Sequence, residues 1–321
     1  MKLPFVLAIL LCLTLMASGV DAQSHIGSGS ATPYVNPTDP VYRDIDRLLA
    51  AGLLPGVIFG QRPFSAREIA RLATVADSAL QALRGQAAAP VADIDLHSRA
   101  RRAAWADAAI ERLRAAASGT PLTSSGRIVG GGSGQLLLLQ SSSPARGIPY
   151  RGIGHNDGIV SSAGVNRSGI LLDQGVVAVG DIGLWGAAGP LAISGTVRTR
   201  VGEDDPFAGP DTRPLTVHTL SARLVVRNAA LTVGRDQLHW APMTTGGLVL
   251  STSVRPVDQV YLTMERPVRI PWVSRLTGPV RAGLFVADLG EDRHFPHSRL
   301  TGYKVTFLPS SKRSCGRKVT L

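Results

Sequence analysis

The sequence predicts a mainly β protein with a small helical bundle at its N-terminal end. Three observations carry that prediction. Aromatic residues make up 5% and charged residues 18% of the 321 residues, while glycines number 35, a balance suited to sheets with many tight turns. Apolar residues recur at helical spacing before Thr120, and from Arg127 onward period-two alternation replaces that spacing. The stretch Leu231–Pro271 organises the second part, with two strand-like runs flanking a polar, glycine-rich connection.

The first element is a leader. Lys2 supplies a positive start, Leu3 to Met16 an apolar core, and Val20-Asp21-Ala22 the small residues a signal peptidase reads. Residues 1–22 are therefore expected to be removed on export, with cleavage before Gln23. The apolar run is short for a bilayer span, which needs roughly 20 residues. Cys315 then remains as the single cysteine, which makes neither an internal disulfide nor a metal cage.

Residues 23–119 follow as the helical unit. Gln23–Thr38 is rich in serine, glycine and proline and reads as a lead-in. A first helix starts at Thr38-Asp39-Pro40, carries Ile45, Leu48, Leu49 and Leu53 on one stripe, and ends at Gly52 with Pro55-Gly56 behind it. Ser65-Ala66-Arg67-Glu68 fits a capping box, ahead of a stripe formed by Ile69, Leu72, Ala73, Ala76, Leu80 and Leu83. A third helix spans about Asp93 to Ala117, with Leu96, Ala100, Ala103, Ile110 and Leu113 on one face. Arg99, Arg101, Arg102, Arg112 and Arg114 crowd its other side, either as a solvated face or as a dock for an anionic headgroup or polymer.

The Gly130–Gly134 run lacks the lysine of a phosphate loop and is expected to link the two parts. Residues 127–321 are the β part. A hairpin turning at Gly186–Pro190 joins Val176–Trp185 to Leu191–Val201, whose second arm puts Leu191, Ile193, Val197 and Val201 on one face. Ser194, Thr196, Arg198 and Arg200 share the other face. His218, Leu220, Ala222, Leu224 and Val226 are expected to alternate with Thr219, Ser221, Arg223 and Arg227 before a turn at Asn228-Ala229. Gly202–Arg213 reads as a surface loop, Val280–Leu289 as a further strand, and Tyr303, Val305 and Phe307 alternate with Lys304 and Thr306.

Arginine recurs on the polar strand face. In a soluble sandwich that face meets water; in a membrane barrel it lines the lumen, where guanidinium forks pair with carboxylates or grip anions. Arginine's dominance over lysine also fits a GC-rich genome. The formal charge of +11 favours an acidic partner, namely anionic lipid or an acidic polysaccharide, and export disfavours nucleic acid.

Catalytic and metal patterns are weak. Pro296 keeps His294 and His297 from sharing a helix face, so no metal is expected there. Asp236 and His239 near Ser251 have the residue types of a hydrolytic triad but no Gly-x-Ser-x-Gly elbow. A non-enzymatic protein without cofactors is the expectation.

The leader, the segment Asp44-Ile45-Asp46-Arg47-Leu48-Leu49-Ala50-Ala51-Gly52-Leu53, the Gly234-Arg235-Asp236…Trp240 segment and the run from Val260 through Phe307, with Leu289-Gly290-Glu291-Asp292-Arg293, together resemble the Wzi-type capsule assembly proteins. The resemblance implies an antiparallel transmembrane β-barrel of the Gram-negative outer membrane, preceded by a periplasmic helical bundle. It also implies non-catalytic retention of capsular polysaccharide, an acidic glycan on the charge argument, at the cell surface. Outer-membrane lipids and the barrel assembly machinery would be its other partners. Glycan-binding candidates at the outer mouth are Arg198, Arg200, Arg223, Arg227, Arg235, Asp236, His239 and Trp240. A porin-like channel and a surface hydrolase are the alternatives. Roughly ten strands follow Thr120, fewer than the family's barrels carry, and Lys312–Leu321 breaks the alternation. A truncated or frameshifted member whose barrel does not close as the family's does is therefore expected, a small barrel being the competing expectation.

Overall fold

The computed structural model describes residues 31–58, 60–86, 93–118, 128–141, 146–148, 158–160, 168–170, 175–202, 214–240, 250, 254–270, 277–291 and 295–308. The leader, the Gly202–Arg213 loop beyond its first residue, Ser251, His294 and the last residues fall outside them. Three helices come first: α1 (Val41–Ala50), α2 (Ala66–Gln86) and α3 (Asp93–Ala117). Among the described residues no helix is long and apolar enough to cross a membrane.

Local chemistry sets the helix ends. The Asp39 carboxylate accepts the Val41 N–H at 2.9 Å, and Pro40 precedes the first full turn, where its missing N–H costs nothing. At the other end Leu53 N–H donates to the Leu48 carbonyl and Gly52 N–H to that of Leu49, both at 2.9 Å. Gly52 has φ +74°, so this is a Schellman close, and only glycine holds that angle without strain. Half of the capping box at α2 forms. Ser65 Oγ accepts the Glu68 N–H at 3.2 Å, whereas the Glu68 carboxylate turns to the Arg71 guanidinium at 2.7 and 2.8 Å. An ion pair to a guanidinium outcompetes the return bond to a backbone N–H.

The helices bury Tyr42, Ile45, Leu48, Ile69, Leu72, Ile110 and Leu113 in one core. Arg112 forks across it onto Asp44 of α1 at 2.7 and 2.9 Å, and Arg114 pairs with Glu111 and Asp77. These two arginines are therefore engaged within the helical unit. The side chains of Arg99, Arg101 and Arg102 lie outside the described residues.

The β part consists of β1 (Val129–Ser141), β2 (Arg146–Ile148), β3 (Gly158–Val160), β4 (Gly175–Ala188), β5 (Leu191–Gly202), β6 (Leu215–Val226), β7 (Ala229–Asp236), β8 (Val257–Met264), β9 (Val280–Asp288) and β10 (Arg299–Phe307). Strands β2 and β3 pair with each other, and the rest form one eight-stranded sheet in the order β1-β4-β5-β6-β7-β8-β9-β10. Every neighbouring pair in it is antiparallel. Among the described residues β1 pairs with β4 alone and β10 with β9 alone. Strands β7 and β8 are the two runs expected to flank the central connection.

The glycine run is a strand, not a linker. Gly130–Gly134 lies within β1, with Gly131 directly opposite Trp185. A Cβ on Gly131 would sit 2.8 Å from the indole Nε1, so the absent side chain is the space the indole fills. Such a run carries no apolar alternation, which is why periodicity alone reads it as a connector. The β4–β5 turn is also tighter than expected: Gly186–Ala188 stay in the strand, and Gly189-Pro190 alone turn the chain. Likewise Arg227-Asn228 forms the β6–β7 turn, with Arg227 at φ +53°.

One face of the sheet carries exposed aliphatic side chains and the other buried polar ones. Leu136, Ile182, Leu184, Ile193, Leu220, Val260 and Tyr303 are exposed, Leu184 to 67%. Arg198, Arg200, Ser221, Arg223, Thr232, Gln259, Thr263 and Arg281 are buried on the other side, Arg223 to 3% exposure. In β6 the alternation changes phase. Thr196 pairs with Thr219 and Val197 with Val217, leaving His218 as an extra residue. His218 is consequently buried while Leu220 is exposed, so these two do not share a face as strict alternation predicts.

Candidate functional site

The polar face is assembled from both ends of the sheet. At the end of the tight turns Gly189-Pro190 and Arg227-Asn228, residues 31–35 and 60–65 enter from the helical unit. Ala31 N–H donates to the Gly189 carbonyl at 2.7 Å, and Ser65 Oγ donates to Glu265 Oε1 at 2.5 Å. Gln61 Nε2 reaches the Lys304 carbonyl and Thr306 Oγ1, each at 3.2 Å, and Lys304 Nζ returns to the Gly60 carbonyl at 2.5 Å. From the other end the β7–β8 connection folds back over the same face. Its His239 exchanges both main-chain hydrogen bonds with Arg62, at 2.9 and 3.1 Å. Both residues are fully buried at that meeting point.

Within this frame the eight candidates occupy different places. Arg198 forks onto Asp181 with Nε and Nη2 at 2.7 and 2.8 Å and gives Nη1 to the Ser168 carbonyl at 3.0 Å. Arg200, two residues on, is buried, and its N–H donates to the Pro214 carbonyl at 3.1 Å. Arg223 pairs with Glu265 through Nη2, donates Nη1 to the Thr32 carbonyl at 2.9 Å, and lies 4.5 Å from the Tyr34 ring centroid. Arg235 forks onto Asp258 at 2.7 and 3.0 Å, and this pair is well exposed. Asp236 accepts from Ser221 Oγ at 3.1 Å and from the Gln237 N–H at 2.8 Å. The Trp240 indole packs edge-on against Phe285, centroids 4.9 Å apart, and tilted against Tyr261 at 6.4 Å.

His239 and Trp240 thus share the buried face, and Arg235 stands at the long-connection end of β7. Arg227 is exposed in the turn at the opposite end of that strand. The eight do not converge on one mouth. Ser221 and Gln237 are the neighbours of Asp236, and its hydrogen bonds do not run to His239; Ser251 lies outside the described residues. His297 faces Asp288 at 3.3 Å and Glu291 at 3.6 Å, and among the described residues no group of three or more such side chains is placed to hold a metal ion.

Sequence reasoning missed the acids. Asp181, Asp258 and Glu265 each hold one of the candidate arginines, and Arg62 and Arg281 join them on the buried face. Asp181 had a signal: a turn at Gly189-Pro190 fixes the register so that it lies opposite Arg198. Glu265 has partners 200 and 42 residues away, and no local pattern marks it.

Outside the strands the shift of Glu265 has a clear cause. Burial pushes its carboxyl up, but the Arg223 charge and the Ser65 hydroxyl outweigh burial and hold it below the ordinary carboxylate range.

Comparison with known proteins bears on the same region. A family model described as capsule assembly protein Wzi matches residues 187–318, from the end of β4 through β10. No curated protein and no solved structure matches the chain. The Asp44–Leu53 segment of the resemblance lies outside the matched residues, whereas the Gly234…Trp240 segment and the Val260–Phe307 run lie inside them. Over residues 187–318, the part that carries most of the arginine-lined sheet, the chain is similar to the Wzi-type capsule assembly proteins.

Proposed function

We propose that this protein sits in the outer membrane as a β-barrel and retains capsular polysaccharide at the cell surface by non-catalytic binding. The observation that carries the reading is the sheet, apolar on its exposed face and polar on its buried one, of which β5 to β10 lie within the family match. In water such a sheet would expose aliphatic rows from β1 to β10; in a bilayer those rows meet lipid, and the buried polar groups satisfy one another inside. Closure would bring the β1 and β10 edges together or pair them through further segments. The two tight turns, the β8–β9 connection and the segments from the helical unit share one end, which suits the periplasmic side, and the β5–β6, β7–β8 and β9–β10 connections suit the outer side.

Glycan retention calls for many weak polar contacts at the outer end. Arg235, exposed beside Asp258, is the candidate best placed for that role. Arg198 is held by half-buried Asp181 and Arg223 by buried Glu265, and both serve as framework. The porin alternative meets an obstacle in the Arg62–His239 junction, which fills the polar face from both ends. Loss of the protein should move capsular polysaccharide from the cell-bound to the shed fraction, and re-expression should restore it. Unchanged retention in its absence would overturn the reading. A steady conductance in planar bilayers would favour the channel instead.

A further inference from the structure

We propose that the junction between the start of α2 and the β8–β9 connection binds a phosphate group, with Arg281 and Arg266 as its principal donors. Cations outnumber acids there. Glu265 is the acid at the centre, and Arg223 and Arg281 both act on it. Arg67, at the start of α2, lies within reach of the charges of Arg266, Glu265 and Arg223. Glu68 pairs with Arg71 and Glu265 with Arg223, and the guanidinium groups around these two acids outnumber them.

The second observation concerns unused donors. Arg281 is 3% exposed, and its Nε and Nη1 have no hydrogen-bond partner among the described residues. Its guanidinium carbon lies 5.2 Å from the Phe64 ring centroid, a contact that engages the charge and leaves donors over for a ligand. Nη2 of Arg266 is likewise buried without a partner among the described residues. Backbone pairing brings the two together. Val268 and Val280 exchange main-chain hydrogen bonds at 2.8 Å, which sets Glu265 and Arg266 against Arg281. Asn228 clamps the Arg266 main chain on both sides, at 2.9 and 3.0 Å. Several guanidinium groups in the neighbourhood of Glu265 offer donors that match the several oxygens of a phosphate better than the two of a carboxylate. Arg266 is half-buried, so the site opens at the tight-turn end, where Arg269 is exposed beside it. The phosphate could be a free ion or the headgroup of a phospholipid.

Thermal unfolding of the full chain in neutral detergent tests this, with inorganic phosphate as the probe and sodium chloride at equal ionic strength as the control. Vesicles of phosphatidylglycerol in phosphatidylcholine, against phosphatidylcholine alone, form the second arm. Phosphate or phosphatidylglycerol should raise the wild-type midpoint, and R281Q should need about tenfold more probe for the same rise. R266Q, at a half-buried position, should show the same loss and serves if R281Q does not fold. A response to inorganic phosphate identifies the phosphate group itself as sufficient; a response to phosphatidylglycerol alone identifies the headgroup. No response to either probe, or variants that respond like the wild type, would overturn the site.

Discussion

Replacing Glu265 with glutamine tests whether one buried acid holds the helical unit to the sheet. Glu265 accepts from Arg223 of β6 and from Ser65, the residue before α2, and is 6% exposed. Glutamine keeps the shape and an acceptor for Ser65 but removes the charge that compensates Arg223. Breaking a buried pair from one side costs about 3–5 kcal/mol. The retained acceptor places E265Q near the lower figure, about 3 kcal/mol. Urea unfolding in detergent, followed by tryptophan emission, measures it, since Trp185 lies on β4 and Trp240 on the buried face. R223M/E265Q removes the stranded charge as well, so it should lose less than the sum of its two single variants, with a coupling of about 2 kcal/mol. The pH dependence has a definite sign. A carboxyl held below its ordinary value contributes fully above the unfolded-state value of about 4.5 and loses that contribution as pH falls through the folded-state value. Wild type should therefore lose stability on acidification below about pH 4.5 more steeply than E265Q does. An E265Q stability within about 0.5 kcal/mol of wild type, or additive single variants, would refute the reasoning.

Other substitutions probe other parts. G234A places a Cβ 2.3 Å from the Leu220 carbonyl oxygen at φ +122°, so it should cost at least about 2 kcal/mol in the same unfolding assay. G131V, directed at the Trp185 indole, should cost about 1–3 kcal/mol and shift the Trp185 emission. L184R changes an exposed aliphatic residue; in a bilayer it should cost about 2–4 kcal/mol and reduce the heat-modifiable form in outer-membrane fractions, whereas in water it would be nearly neutral. R235A should change stability by no more than about 1 kcal/mol, because its pair with Asp258 is exposed, yet increase the shed fraction of polysaccharide.

Much of the fold was legible because it follows local periodicity. The stripe Ile69, Leu72, Ala76 lies in the helical core, and the Leu191, Ile193, Val197, Val201 row is exposed along β5, opposite Arg198 and Arg200. What escaped is set by steric fit and distance. A glycine run supplies no alternation, although Trp185 needs that space. A single extra residue at His218 reverses the phase of β6 without leaving a mark in composition. Arg198, Arg200 and Arg223 lie on the buried polar face that their alternation predicts, whereas Arg227 stands in a turn and Arg235 is exposed beside Asp258. Opposite Arg198, Asp181 follows from turn arithmetic, whereas Asp258 is separated from Arg235 by a long connection and Glu265 from Ser65 by most of the chain.

The segment 60–65 has a kinetic consequence. It touches His239 after β7, Glu265 after β8, Arg281 of β9, and Lys304 and Thr306 of β10, partners 177 to 245 residues farther along the chain. Its seat does not exist until β10 has arrived. Contacts of such separation form late and slowly, because the loop entropy must be overcome before any of them contributes. Until then Tyr42, Phe64 and the unseated strands are available for wrong pairings. Maturation should thus depend on a holding chaperone for the whole interval between release of the N-terminal helices and completion of β10.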